Sequence, residues 1–132
     1  MPNEKSVARR AVRWVMNYER KHGKKVKDVQ CDRHFLGCDI IRYSDKKRAW
    51  EKVEVKGSTK PHGIPDCFQT EFTKNGKLVA DFMYVVNFEK KKAKLYIIPK
   101  KAFKPEHTKI RIGYRISNTF KTKILPTYKI KY

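Results

Sequence analysis

Asp39 and the triplet Glu54-Val55-Lys56, fifteen residues further along, are the residues whose types and spacing can do chemistry together. The triplet sits in an alternating stretch, so Glu54 and Lys56, two apart, share one face of a predicted strand. Asp39 opens the neighbouring predicted strand and can approach Glu54. Two carboxylates converging from paired strands make an oxygen site for a hard cation such as Mg²⁺ or Mn²⁺. Such an ion polarises a phosphate and lowers the pKa of a coordinated water. A lysine beside it orients that water or stabilises charge developing on the phosphoryl group. That is the chemistry of phosphodiester hydrolysis.

Glu-x-Lys alone carries little information in so lysine-rich a chain. It occurs three times, as Glu19-Arg20-Lys21, Glu54-Val55-Lys56 and Glu89-Lys90-Lys91. Only the middle one lies in an alternating strand, is followed by Gly57-Ser58 and has a Gly-x-Asp upstream, Gly37-Cys38-Asp39. The plainer reading is a solvated strand face with a charged pair across it. Cys31, His34 and Cys38 are spaced C-x2-H-x3-C, which matches no standard zinc pattern. Three cysteines, Cys31, Cys38 and Cys67, form no disulfide scaffold and suit a reducing cytoplasm.

Charge narrows the partner. Thirty-three Lys and Arg face thirteen Asp and Glu, a net +20 in 132 residues. A lysine-rich thermophile surface would carry matching glutamates, but seven Glu stand against twenty-four Lys. The expected partner is therefore a polyanion, and nucleic acid is the first choice. No eighteen-residue apolar run occurs, so no membrane-spanning helix is expected. The start, MPNEKSVARR, has no apolar secretory region.

The elements that must position these residues follow from periodicity. Residues 6–22 read as an amphipathic helix, capped by Ser6, ended by Gly23 and carrying Val7, Ala11, Trp14, Val15 and Tyr18 on one side. Arg9, Arg10 and Arg13 occupy its outer surface. Residues 23–36 show no period and read as an irregular connection. Residues 37–42 and 48–56 read as strands around a Ser44–Lys47 turn, with Val53 and Val55 facing one way and Trp50, Lys52, Glu54 and Lys56 the other. Residues 80–87 and 94–98 read as apolar strands. A Gly/Pro-rich loop at 57–65 carries Lys60 and His62, either of which can touch a phosphate. Residues 66–79 are ambiguous, and Gln69 can reach the site if they form a short helix. From 109 onward there are seven basic residues and no acidic one. This stretch reads as strand-like, with Lys121, Lys123, Lys129 and Lys131 free for phosphates or for guarding a sheet edge. Tyr114, Phe120, Tyr128 and Tyr132, interleaved with them, suit base stacking. The expectation is one α+β domain, with a core at about 6–103 and a basic tail at about 104–132.

Residues 8–56 resemble the PD-(D/E)xK nuclease superfamily, and within it the domain related to the C-terminus of the plant protein NO VEIN. The likeness is carried by Val15-Met16-Asn17-Tyr18-Glu19, Gly23, Asp28-Val29, Gly37-Cys38-Asp39-Ile40 and Val53-Glu54-Val55-Lys56-Gly57. It extends through Tyr84-Val85-Val86 and Leu95-Tyr96-Ile97-Ile98-Pro99, to about residue 103. Cys38 stands where the family usually has an aromatic residue, and Arg9-Arg10 where it often has an acid. The resemblance implies a restriction-endonuclease-like αβββαβ core with a mixed sheet. It also implies a metal held by Asp39, Glu54 and the Val55 carbonyl, Lys56 as the catalytic lysine, and Glu19 near the same site.

The function expected from the sequence is Mg²⁺-dependent endonuclease cleavage of DNA, structure-selective or weakly sequence-specific because no base-reading motif is visible. A homodimer is the simplest arrangement for cutting both strands. The alternative is a non-catalytic DNA- or RNA-binding module that keeps the nuclease fold.

Overall fold

A computed structural model describes residues 4–35, 37–60, 63–65, 72–73, 77–89, 92–110 and 114–130. Helix α1 spans Glu4–Lys21. Val7, Ala11, Val12 and Val15 form its buried stripe, the spacing a 3.6-residue period demands. It begins two residues before the expected Ser6 cap. Its end is as expected: Gly23 takes φ +75°, its N–H donates to Arg20 O at 3.0 Å, and the Lys24 N–H reaches Glu19 O at 2.9 Å. This pair of bonds satisfies carbonyls that a helix end leaves open, and only glycine adopts the turn cheaply.

Five strands form one sheet in the order β1-β2-β3-β4-β5. They are β1 (Val26–Asp28), β2 (Ile40–Ser44), β3 (Ala49–Ser58), β4 (Phe82–Glu89) and β5 (Lys92–Pro99). All neighbours are antiparallel except β3 and β4, which are parallel, so the sheet is mixed. A parallel neighbour cannot follow by a tight turn. The chain between β3 and β4 therefore crosses one face, where Ile64, Phe72, Leu78 and Ala80 are buried. Strand β1 and a 3₁₀ turn at Arg33–Phe35 occupy the stretch expected to be irregular. Three residues are too few to show a period, which is why β1 left no sequence signal.

The sheet has a core on each face. On one, α1 covers Ile40, Val53, Val55, Tyr84, Val86 and Leu95. On the other, Ile41, Met83, Val85, Tyr96 and Ile98 pack under the crossover and the C-terminal segment. That segment differs from the expected basic strand. A short hairpin, β6 (Thr108–Ile110) with β7 (Tyr114–Ile116), leads into a π-helical turn at Phe120–Ile124 and a 3₁₀ turn at Leu125–Tyr128. Ile116, Phe120 and Leu125 are fully buried in the second core, so residues beyond 104 complete the domain. Lys129 then bridges Tyr96, and the Ile130 N–H donates to Leu95 O at 2.9 Å along the outer edge of β5.

Gly57 lets α1 lie close to β3. A Cβ there would stand 2.8 Å from Ala11 Cβ and 2.9 Å from the Val7 carbonyl oxygen. Gly57→Ala is expected to destabilise the domain by about 1–3 kcal/mol, because helix backbone must move. Urea unfolding reads this as a lower midpoint at unchanged slope. An unchanged midpoint would mean that the helix does not press on this strand.

Candidate active site

Asp39 lies at the mouth of β2 and is tied down from three sides. Its N–H donates to Val53 O at 2.9 Å, its carbonyl accepts the Val29 N–H at 2.9 Å, and its Oδ2 accepts the Val55 N–H at 2.8 Å. Gly37, at φ +80°, supplies the left-handed turn that brings the chain into this position. The side chain is thus fixed against the backbone of the triplet. Its Oδ1 has no hydrogen-bond or ion-pair partner among the described residues.

The alternation read from the sequence holds along β3. Val53 and Val55 face α1, and Trp50, Lys52, Glu54 and Lys56 face the other way. The outer half of that second face is open, and the inner half is roofed by the crossover and C-terminal layer. Glu54 and Lys56 are therefore 4% and 8% exposed, not solvated. Lys56 Nζ stands 3.6 Å from Glu54 Oε1. A buried carboxylate and ammonium stay charged only where they compensate each other. Where β2 meets β3, the Asp39 carboxylate is thus bonded to the backbone of the triplet that carries the Glu54–Lys56 pair.

Cys38 is buried beside them, its thiol 3.4 Å from Phe35 O. Burial, and then the Glu54 charge, pushes its pKa up to about 11. It is a neutral thiol at pH 7, unsuited to be a thiolate ligand or nucleophile. Cys31 is exposed and free, and Cys67 lies outside the described residues.

The donor set suits a hard cation. Among the described residues no three His, Cys, Asp or Glu side chains gather to hold a metal. An ion here would rest on two carboxylates, with a backbone carbonyl, water and phosphate completing its shell. Mg²⁺ is commonly held that way, since it keeps several waters and takes one or two carboxylates.

Glu19 is elsewhere. It sits on the α1 side of the sheet, 2% exposed, with Oε1 2.9 Å from Arg42 Nη1 and accepting a hydrogen bond from the Tyr84 hydroxyl. Arg42 also reaches Tyr84 and sets its Nε 3.3 Å from Glu51 Oε1, too poorly aligned to count as a hydrogen bond. Lys47 caps Glu51 at 3.2 Å. Burial and the Glu19 charge hold the Tyr84 pKa well above its usual value, so the hydroxyl remains a donor. Burial works against the Arg42 charge, but Tyr84, Glu19 and Glu51 more than offset it. The partners of Glu19 are thus Arg42 and Tyr84, and those of Asp39 are backbone groups of Val29, Val53 and Val55. The strand parity that put Glu54 on one face puts Arg42, two after Ile40, and Glu51, two before Val53, on the other; that signal could have revealed this network.

Among the described residues, the basic side chains expected to meet nucleic acid do not gather on one face. Arg9, Arg10 and Arg13 are exposed on α1, with Arg10 4.1 Å over the Phe88 ring. Lys60 is exposed beyond β3, and Lys121 and Lys123 belong to the layer on the opposite side of the sheet. Lys129 is exposed at the β5 edge. Gln69, His62, Lys131 and Tyr132 lie outside the described residues. Phe120 cannot stack on a base: it is fully buried, 4.8 Å from the Phe103 ring and parallel to it.

No protein-family model, curated protein or solved structure matches this chain.

Proposed function

We propose that the protein is a Mg²⁺-dependent nuclease that hydrolyses DNA phosphodiester bonds on a restriction-endonuclease-like core. One observation carries the reading. The Asp39 carboxylate is bonded to the backbone of the Glu54-Val55-Lys56 triplet, through the Val55 N–H at 2.8 Å, and Lys56 Nζ stands 3.6 Å from Glu54, in a chain of net charge +20. Two carboxylates facing a polyanion repel it unless a cation lies between them. The order of elements supports the core: α1, three antiparallel strands, a crossover and a parallel β4.

In this reading Asp39, Glu54 and the Val55 carbonyl hold the ion, and Lys56 places positive charge where the phosphate accumulates negative charge. A bound Mg²⁺ supplies Lewis acidity and a more acidic water. Asp39, bonded to the Val55 N–H, needs no reorganisation to present Oδ1, which is the preorganisation that lowers a barrier. A non-catalytic nucleic-acid-binding module is the second reading. The burial of Glu54 and Lys56 favours it, because a sealed pair serves packing as well as chemistry.

The test is a panel of labelled single-stranded, duplex, flap and junction DNA and RNA, incubated with Mg²⁺, Mn²⁺ or chelator. The wild-type chain is expected to cleave at least one DNA form only with metal. Asp39→Asn and Glu54→Gln should each remove cleavage and calorimetric metal binding while leaving DNA binding equal or tighter. DNA binding without cleavage or metal binding would favour the binding module, and cleavage that survives both variants would move the active site elsewhere.

Binding itself is expected to be largely electrostatic. The logarithm of affinity should fall linearly with the logarithm of salt concentration, with a slope of several units. A flat titration would rule out a phosphate-dominated interface.

A further inference from the structure

Trp50 is 39% exposed, the one large apolar side chain so open among the described residues. It is not an isolated surface aromatic. Across the strand pair its register partner is Tyr43, whose ring meets it edge-on at 5.5 Å. Lys27 Nζ, from β1, lies 4.9 Å from the centre of the Trp50 ring. Lys27 is exposed, as are Lys46 and Arg48 in the adjoining turn and Lys52 two residues along β3, against one exposed acid in that turn, Asp45. This half of the sheet face is outside the crossover and C-terminal layer.

We infer that Trp50, Tyr43 and Lys27 form a stacking platform for an unpaired base of a single-stranded nucleic acid. An indole presented to solvent with cations around it matches what such a strand offers: a flat π-face and phosphates on either side. A paired base keeps its faces inside the helix and cannot use the platform. Strand β3 also connects the platform to the candidate active site. Trp50 and Glu54 lie on the same face four residues apart, about 13 Å at ~3.3 Å per residue. A stacked strand rises about 3.4 Å per nucleotide, so the base on Trp50 lies about four nucleotides, or fewer in a stretched strand, from the phosphate at Glu54. The substrate class is therefore nucleic acid with an unpaired segment beside the bond to be cut. This inference rests on the nucleic-acid reading above.

The test compares wild-type protein, Trp50→Phe, Trp50→Ala and Lys27→Gln by fluorescence anisotropy, on a labelled single strand and on a duplex of equal length. Trp50→Ala should weaken single-strand binding about tenfold and leave duplex binding within about twofold. Trp50→Phe should retain most of the affinity, and Lys27→Gln should lose part of it on the single strand only. Circular dichroism melting confirms that each variant is folded; Trp50→Phe keeps the test informative if Trp50→Ala is not. Equal losses on both forms, or no loss on the single strand, would overturn the platform while leaving the nucleic-acid reading in place. A wild-type chain that binds neither form at low salt would end both. A dimer in sedimentation that Trp50→Ala dissolves, with single-strand binding unaltered, would assign the patch to a second copy of this chain instead.

Discussion

Arg42→Ala is expected to lower the unfolding free energy by about 3–5 kcal/mol. The guanidinium stands between two buried carboxylates, 2.9 Å from Glu19 and 3.3 Å from Glu51, with the Tyr84 hydroxyl completing the group. Removing it leaves both acids buried under α1, and only Glu51 keeps a lysine, at 3.2 Å through the exposed Lys47. Stranding a buried charge costs far more than an exposed ion pair contributes. A domain of this size has about 5–15 kcal/mol in hand, so the variant should be folded only marginally. Adding Glu19→Gln to Arg42→Ala should recover part of the loss, since the amide needs no counter-charge. Urea titration of the two single variants and the double variant measures the coupling. Simple additivity would show that the carboxylate and the guanidinium do not depend on each other.

Lys56→Ala tests the catalytic reading most severely. Cleavage should fall by about 10²-fold or more, the scale of losing one charge-stabilising group in a transition state. The metal should still bind, because the carboxylates of Asp39 and Glu54 remain. The burial of the pair adds a second readout. Glu54, 4% exposed, loses the ammonium 3.6 Å away, so the apo variant should be destabilised. A divalent ion can then replace the missing charge. Mg²⁺ should therefore raise the melting temperature of Lys56→Ala more than that of the wild type. Full activity in the variant, or equal metal-induced shifts in both proteins, would remove Lys56 from the site.

The parts of the fold legible in the sequence were those with a sustained period. Alternation across 48–56 placed Val53 and Val55 against Glu54 and Lys56 correctly, and the helical spacing of Val7, Ala11 and Val15 identified the buried side of α1. Gly23 marked the end of α1 because a left-handed cap has a strong preference for glycine. Other features were hidden for physical reasons. The segment 118–128 carries Lys121 and Lys123 beside Phe120 and Leu125, and its short π and 3₁₀ turns have no period to recognise. What buries Glu54 and Lys56 is a layer contributed by residues far along the chain, and local pattern says nothing about such a roof. Glu19 was placed near Asp39 only by the resemblance, whereas strand parity gives it Arg42 and Tyr84 as partners.

That roof makes access to the candidate site a question of local stability. The bond from the Val55 N–H to Asp39 belongs to the β2–β3 pair, which is joined by a short turn and held along its whole register. Glu54 and Lys56 lie in register with Met83 and Val85, over which Ile64, Phe72, Leu78 and the C-terminal Phe120 and Leu125 pack from distant parts of the chain. Ile116, Phe120 and Leu125 of that cover are fully buried, so lifting it exposes the second core and costs a large part of the unfolding free energy. A phosphate would then meet Asp39 first and the Glu54–Lys56 pair only when the cover parts, so the free energy of that opening would enter the turnover rate as directly as the chemistry does.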